Sequence, residues 1–380
     1  MTEPKPFLRE MPGPKNNWVI DWYALEQFPF ARDLEQTPQD PRWHAEGDVW
    51  AHTCMVLKAL VEMEEWRMLP PHHREDLFWA ALLHDIAKPF CTKTDEDGIH
   101  SPGHAGKGAI EARRILWEMG YPFHRREAVC GLIQEHIKPF FILEGDETRK
   151  VIAISQHCRC DHLALLALAD TRGRTCAAEF TRDGEDLVGL FLMVAESHGC
   201  LSRPYPFTSN HSRFLYFRLP DRNHLYEAFD DTRCTVVVMS GLPGAGKDTW
   251  IKNHFPDLPM ISLDDIRREQ KIKPGDKKAQ GRVAQEAQEM LKVHLRAGQD
   301  CVWNATNLSR DVRGKVLSIL ADYNARVRIA HIEAPYNTLR RQNLTRENSV
   351  PLAVIEKLTR RWQMPDLTEA HTVTYVTGET

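Results

Sequence analysis

Residues 235–250 read TVVVMSGLPGAGKDTW, and the organisation of the C-terminal half follows from them. TVVVMS (235–240) is a short β-branched apolar run that reads as a buried strand, and TWIKNHF (249–255) reads as a helix. Between them, GLPGAGKD (241–248) has the glycine spacing that lets main-chain N–H groups close on phosphate oxygens, while the helix N-terminus adds its positive end. This predicts a nucleotide-phosphate loop. Gly241, Gly244, Ala245 and Gly246 would form the cradle, Lys247 would supply a point charge to the β and γ phosphates, and Thr249 would reach a phosphate oxygen. Asp248 departs from the pattern, because Ser or Thr normally stands there as a ligand to Mg²⁺. A carboxylate at that place would bind the ion directly or through water.

Working outward, LPMIS (258–262), DCVWN (300–304), RVRIAHI (326–332) and TVTYV (372–376) are further strand-like runs separated by helical stretches, which predicts a parallel sheet with both faces covered. Leu263-Asp264-Asp265-Ile266-Arg267 follows the second run. A carboxylate at the C-terminal edge of a parallel strand, beside the phosphate loop, is placed to accept the proton of an incoming hydroxyl. From Arg267 to Arg282 the chain holds seven basic residues (267, 268, 271, 273, 277, 278 and 282) against two acidic ones, which points to an acidic acceptor. A solvated helix face accounts equally well for any single lysine among them. Thr306 and Asn307 follow the third strand, and Arg340, Arg341 and Arg346 fall in a predicted helical lid, from which arginines can neutralise charge on a transferring phosphoryl group.

GLPGAGKDTW, SLDDIRR (262–268), NATNL (304–308), RQNLTREN (341–348) with VP just after, and RRWQMP (360–365) come in the order found in the 5′-hydroxyl polynucleotide kinases of phage and bacterial RNA-repair systems, which residues 235–380 resemble. The resemblance implies ATP and Mg²⁺ as cofactors and Asp264 as general base on the 5′-hydroxyl. It implies that Arg267 grips the acceptor phosphate and that Lys247 with Arg346 stabilises the transition state. Arg341 is offset by one residue from the family's second lid arginine.

The first half has a different texture. Up to about Gly199 apolar residues recur at spacings of three and four with few β-branched runs, which predicts an all-α region. Leu77, Ala80, Ala81 and His84 lie on one helical stripe, with Asp85 next. Val129, Leu132, Ile133 and His136 repeat the arithmetic, as do Leu163, Leu166, Ala167 and Asp170, and His52 lies between Val49 and Val56. A single histidine on such a stripe is ordinarily a hydrogen-bonded core residue. Several ionisable groups on separate helices are better explained by a metal that compensates them, and imidazole with carboxylate suits Mn, Fe, Co, Ni or Zn.

HAEGDVWAHT (44–53), LLHDIAKP (82–89), GHAGKGA (103–109), QEHIKP (134–139) and ADTRGR (169–174) resemble the HD-domain phosphohydrolases, especially the HD domain attached to bacterial tRNA nucleotidyltransferases. By that resemblance His52, His84, Asp85 and Asp170 would hold one divalent metal and His104 and His136 a second, bridged by Asp85, which would make Asp85 catalytic. Lys88, Arg172 and Arg174 are placed in the sequence to hold the phosphate, a role that a solvated face accounts for equally well, and His44, close to this site in the sequence, would touch substrate. His157-Cys158-Arg159-Cys160-Asp161-His162 is dense in metal-ligand types, but its ligands stand too close together to close a tetrahedron.

These readings divide the 380 residues into an HD metal-dependent phosphoesterase domain (1–201), a connector rich in proline and aromatics (202–232) and a P-loop kinase domain (233–380). Fifty-three acidic against 49 basic residues leaves −4, so any phosphate-binding surface is local. The longest strictly aliphatic run, Leu163–Ala169, is far shorter than the roughly 20 residues that span a bilayer, and the start lacks an apolar leader. The expectation is a cytoplasmic protein with reduced thiols at its nine cysteines and no membrane partner. The whole chain resembles the bacterial end-healing enzymes called HD-Pnk. That resemblance implies 5′-phosphorylation and 2′,3′-cyclic phosphate hydrolysis at RNA or DNA ends, with a nucleoside triphosphate consumed and a separate ligase acting afterwards. Two other readings compete with it. In one, a small-nucleotide phosphodiesterase is fused to a nucleoside-type or toxin-type kinase. In the other, the chain is a regulatory nucleotide-binding module whose metal site is dead.

Overall fold

Asp48 starts the helix that carries His52, its carboxylate accepting the main-chain N–H of Ala51 at 2.8 Å. Proline starts two others, Pro71 at the first helical position and Pro122 at the cap, where a missing N–H costs nothing. The computed structural model describes residues 11–176, 184–272, 276–345 and 349–378. The chain divides into two compact units, Met1–Pro206 and Phe207–Thr380.

The first unit runs α1 (Trp22–Glu26), α2 (Pro29–Glu35), α3 (Val49–Glu62), α4 (Glu64–Arg67), α5 (Pro71–Leu83), α6 (Lys88–Cys91), α7 (His104–Glu118), α8 (Phe123–Glu135), α9 (Glu147–Ser155), α10 (Cys160–Arg172) and α11 (Gly184–Ser197). The helical reading holds, with one addition: Lys93–Asp95 and Gly98–His100 form a short antiparallel hairpin, β1 and β2. Its turn is closed by Gly98 at φ +118°, where a side chain would collide with Asp40 and Arg42. α10 packs on α3, α5 and α11, while α8 packs on α5 and α7, around a core that includes Trp66, Phe78, Trp79, Leu163 and Phe191. The two helices bearing His52 and Asp170 touch through Gly173, where an added Cβ would lie 2.5 Å from the main-chain nitrogen of Val56. Any side chain there would lever α10 off α3.

In the second unit every predicted strand forms: β3 (Cys234–Ser240), β4 (Met260–Ser262), β5 (Cys301–Asn304), β6 (Ala325–Glu333) and β7 (Thr372–Thr377). They make one parallel sheet in the order β4-β5-β3-β6-β7. The helices are α12 (Asn210–Arg218), α13 (Lys247–His254), α14 (Leu263–Glu269), α15 (Lys277–Arg296), α16 (Arg310–Asp322), α17 (Tyr336–Thr345) and α18 (Leu352–Thr359). Residues 202–232, expected as a connector, are divided between the units. α12 belongs to the second, where Phe214 enters the core and Arg213 donates to the carbonyls of Leu367 and His371. Arg313 is wholly buried and paired through two hydrogen bonds with Glu369, at 2.8 and 2.7 Å, while also donating to the carbonyls of Asn307 and Gln363. It ties the segment after β5 to the one before β7. None of the nine cysteines is in a disulfide, and among the described residues no helix is long and apolar enough to cross a membrane.

Candidate functional site

α5 and α8 each end where an apolar stripe meets a histidine, so that His84 and His136 are the capping residues just past the last turn. His104 opens α7, and His52 and Asp170 sit within α3 and α10. The five segments converge on Asp85. Its Oδ2 lies 3.2 Å from His84 Nε2 and 4.0 Å from His52 Nε2; its Oδ1 lies 3.3 Å from His104 Nε2 and 3.9 Å from His136 Nε2. His52 Nε2 is 3.1 Å from Asp170 Oδ1. Two donor groups result, His52 with His84 and Asp170, and Asp85 with His104 and His136, the donor atoms of each group lying within 4.8 Å of one another. All six residues predicted as ligands are thus brought together.

The hydrogen bonds around the rings decide which nitrogens face inward. Nδ1 of His84, His104 and His136 reaches the carbonyl oxygens of Ala81, Ser101 and Ile133 at 2.7, 2.8 and 2.7 Å. A carbonyl only accepts, so Nδ1 carries the proton and Nε2 of each neutral ring presents a lone pair. Lone pairs on Nε2 therefore face carboxylate oxygens and one another, and His52 Nε2, His84 Nε2 and Asp85 Oδ1 are buried without a hydrogen-bond partner. Such an arrangement asks for positive charge at its centre, and the donor set suits divalent transition metals.

The electrostatics agree. Burial alone would raise the carboxyls, yet Asp85 is held well below the usual range by His84 and Lys88, and Asp170 by Arg174 and His52. Burial opposes charge on His84, but Asp85 outweighs it and the pKa rises. At His136 burial prevails, helped by His84 and His104, and pushes the pKa down to about 3.

Beside these groups lies a cavity of about 340 Å³ whose polar wall includes Lys88, His44 and Arg174 and whose apolar wall includes Trp43, Phe140 and Leu187. Lys88 Nζ is 2.7 Å from Asp85 Oδ2 and donates to Gln39 Oε1 at 2.6 Å. Arg174 grips both oxygens of Asp170, at 2.9 and 3.0 Å. Arg172 does not join it: its guanidinium pairs with Glu185 at the surface, because its position on α10 faces α11. The HCRCDH segment does not gather into a metal-ligand group. His157 points to Glu135, the Cys158 thiol lies toward the Ile154 carbonyl, and the His162 ring stands against His73.

Sequence reasoning passed over Glu46. Its buried carboxylate has Oε1 2.9 Å from His52 Nδ1 and 2.8 Å from His44 Nδ1, while Oε2 accepts from the Thr175 N–H at 3.0 Å. It stands behind a ligand ring in the manner of carboxylate–histidine–metal arrangements. Its position in a loop gave no periodic signal; only its place inside HAEGD marks it.

In the second unit, the loop Gly241–Gly246 runs from β3 into α13 as predicted. Gly241, at φ +142°, lies so close to β6 that a Cβ would be 2.2 Å from the Ile332 carbonyl oxygen. Gly244 and Gly246 also have positive φ, 83° and 100°. Lys247 Nζ bends back to the carbonyls of Gly241 and Leu242, both at 3.0 Å. Asp248 accepts a hydrogen bond from Asn304 Nδ2 at 2.7 Å, and Thr249 is exposed beside it. Asp264, in the first turn of α14, is largely exposed and paired with Arg267, whose Nε donates to Gln280 Oε1 at 2.7 Å. Arg341 is exposed on α17. Arg346 and Lys273 lie outside the described residues.

The HD domain family matches residues 49–171, and an AAA domain family matches residues 236–365. A multifunctional CCA protein of Pasteurella multocida is 28% identical over 154 residues, which make up 39% of this chain and 36% of that protein, so the chain spans about a third of its curated relative. Among solved structures, a sugar kinase from a Janibacter species aligns at 17% identity and a TM-score of 0.30, covering 38% of this chain and 85% of the other. A gluconokinase from Sinorhizobium meliloti aligns at 17% identity and 0.29, covering 39% and 85%. The chain carries an HD domain followed by an AAA domain that opens on the phosphate loop, an order consistent with the HD-Pnk architecture that its motifs resemble.

Proposed function

We propose that this protein heals broken nucleic-acid ends. The C-terminal unit phosphorylates 5′-hydroxyl polynucleotide ends with ATP and Mg²⁺, and the HD unit hydrolyses 2′,3′-cyclic phosphate and then the remaining 2′- or 3′-phosphate. Cleavage of RNA by its own 2′-hydroxyl leaves this pair of ends, and neither end can be ligated until it is processed. The observation that carries the reading is Asp85, a single carboxylate whose two oxygens face two separate donor groups. His52, His84 and Asp170, and Asp85 with His104 and His136, would hold divalent metal, which would supply a clamp for phosphate and a more acidic water.

The chain's own residues do the rest. Lys88 and Arg174 bring positive charge to the cavity wall where phosphate oxygens would lie. Burial, against the pull of Glu46, lowers the His44 pKa to about 4, so near neutral pH its ring is an acceptor for a ribose hydroxyl. Phe140 and Trp43 offer apolar faces to a base. In the kinase unit the loop amides and Lys247 hold the β and γ phosphates, Asp264 takes the proton of the attacking 5′-hydroxyl, and Arg267 holds the acceptor phosphate. Arg346, from the lid segment, neutralises charge as ADP departs. The basic run from Arg267 to Arg282 supports a polynucleotide acceptor, which a nucleoside would not require.

The test is one reaction. An RNA bearing 5′-hydroxyl and 2′,3′-cyclic phosphate ends, incubated with protein, ATP, Mg²⁺ and Mn²⁺, Co²⁺, Ni²⁺ or Zn²⁺, should emerge with a 5′-phosphate and a 3′-hydroxyl. An RNA unchanged at both ends, with free 2′,3′-cyclic nucleotide and nucleoside consumed instead, would overturn the reading in favour of a small-molecule enzyme.

A further inference from the structure

Phosphate loops ordinarily end in a Ser or Thr whose neutral hydroxyl meets Mg²⁺, and the negative ligand comes from an Asp at the end of a neighbouring strand. This chain has the two residue types in the opposite places. The loop ends in a carboxylate, Asp248, at the second position of α13, and the neighbouring strand β5 ends in an amide, Asn304. β5 pairs directly with β3, Val238 standing opposite Trp303, so Asn304 is the last strand residue beside the chain that enters the loop. On its other side Asn304 stands opposite Ser262, two residues before Asp264. Asn304 is 7% exposed, whereas Asp248 opens to solvent at the loop.

The amide orientation is determined. A carboxylate only accepts, so the nitrogen of Asn304 must face Asp248; Nδ2 lies 2.7 Å from Asp248 Oδ1 and 3.7 Å from the thioether sulfur of Met260. The Asn304 donors are thereby committed, and one oxygen of Asp248 is anchored while the other remains for a cation. An Asp at position 304 would instead set two carboxylates against each other at this distance, so the observed pair is compatible with only one negative charge.

We propose that the acidic and neutral members of the Mg²⁺ site have exchanged places. Asp248 supplies the negative ligand to the nucleotide-bound Mg²⁺, and Asn304 is a positioning residue that fixes the Asp248 rotamer through Oδ1. The site keeps one carboxylate, but carries it on the loop and not on the strand. This deepens the kinase reading of the same site and rests on it.

The experiment compares the full-length protein with Asp248→Ser, Asp248→Asn, Asn304→Asp and the exchanged double variant Asp248→Ser/Asn304→Asp. Binding of Mn²⁺ in the presence of a non-hydrolysable ATP analogue is read by electron paramagnetic resonance, beside phosphorylation of a 5′-hydroxyl oligonucleotide. Melting curves serve as the check on folding. Each single variant should weaken nucleotide-dependent Mn²⁺ binding at least tenfold, and the double variant should recover to within a few-fold of wild type in both readouts. Asp248→Asn keeps the shape without the charge, so it reports on the ligand even where Asp248→Ser melts early. A double variant no better than its worse parent, or an Asp248→Asn protein with wild-type Mn²⁺ affinity, overturns the exchange. Nucleotide-dependent Mn²⁺ binding that follows the predicted pattern without phosphorylation of the oligonucleotide would leave the exchange standing and refute only the polynucleotide acceptor.

Discussion

Nε2 of His104 and Nε2 of His136 stand 3.3 Å apart, although each ring has its Nδ1 proton committed to a main-chain carbonyl. Two neutral imidazoles in these tautomers oppose lone pair to lone pair. The contact is repulsive until a cation or a proton enters between them, and Asp85 Oδ1, 3.3 Å from His104, deepens the demand for positive charge.

Removing metal should therefore loosen the first unit. A chelator is expected to lower its melting temperature by several degrees, and a saturating divalent transition metal to restore it, since a ligand at 100 times its Kd adds about 2.7 kcal/mol. Calorimetry on wild type and Asp85→Ala checks this. The variant should show no metal-dependent shift, and an unchanged wild-type melting point after chelation would count against a metal at this centre.

The two activities should be lost separately. His84→Ala or Asp85→Ala is expected to abolish 3′-end processing, by a thousandfold or more, while leaving 5′ phosphorylation within a few-fold of wild type. Lys247→Ala or Asp264→Ala should do the reverse. End-labelled RNA resolved on a gel reads both ends of one molecule, and a single substitution that silences both would indicate one shared site.

Glu46 should matter through His52. Glu46→Gln removes the charge that faces His52 Nδ1 at 2.9 Å, so metal affinity is expected to fall 10- to 100-fold with the ligand set intact. Glu46→Asp should recover part of it. Equilibrium dialysis against Co²⁺ or Mn²⁺ measures the effect directly, and Glu46→Gln with wild-type affinity would reduce Glu46 to a loop anchor.

The second unit should weaken in mild acid because of His371. Burial, reinforced by His211 and Arg326, pushes its pKa down to about 3, while its Nδ1 accepts the Val327 N–H at 3.0 Å. Between about 6.5 and 3 the unfolded chain binds this proton and the folded chain does not, so stability is fully present above about pH 6.5 and declines as pH falls below it. Urea midpoints of this unit followed from pH 7.5 to 5 should drop, and His371→Asn, which keeps an acceptor near Val327 but cannot titrate, should flatten the slope.

Much of this was legible in local patterns. The stripes ending at His84 and His136, the five strands of the sheet and the loop Gly241–Gly246 all follow from spacings of three, four or two and from the backbone freedom of glycine. Arg172 misled because it is the last residue of α10 and pairs with Glu185, whereas Arg174 follows the helix end, past Gly173, and reaches the cavity; a motif such as ADTRGR does not say which arginine does so. Asn304 stood inside a recognised stretch, yet nothing local distinguished it from a strand-end residue until Asp248 was found against it. Arg313 and Glu369 are 56 positions apart, and no periodicity announces their pairing.

The amino-acid sequence by itself determined the two fold classes, the phosphate loop, and Asp85 with the five residues that gather around it: helical spacing announces His52, His84, His136 and Asp170, and the motif that resembles the HD domain adds His104. Only the tertiary structure decided which atoms meet: that Asp85 shares its oxygens between two histidine sets, that Glu46 backs His52, and that Asn304 holds Asp248. Apart from Glu46 and His52, which are near neighbours in the chain, those relationships join segments separated by tens of residues. They depend on helices and strands packing at fixed offsets, through contacts such as Gly173 against Val56, which no local interaction along the chain encodes.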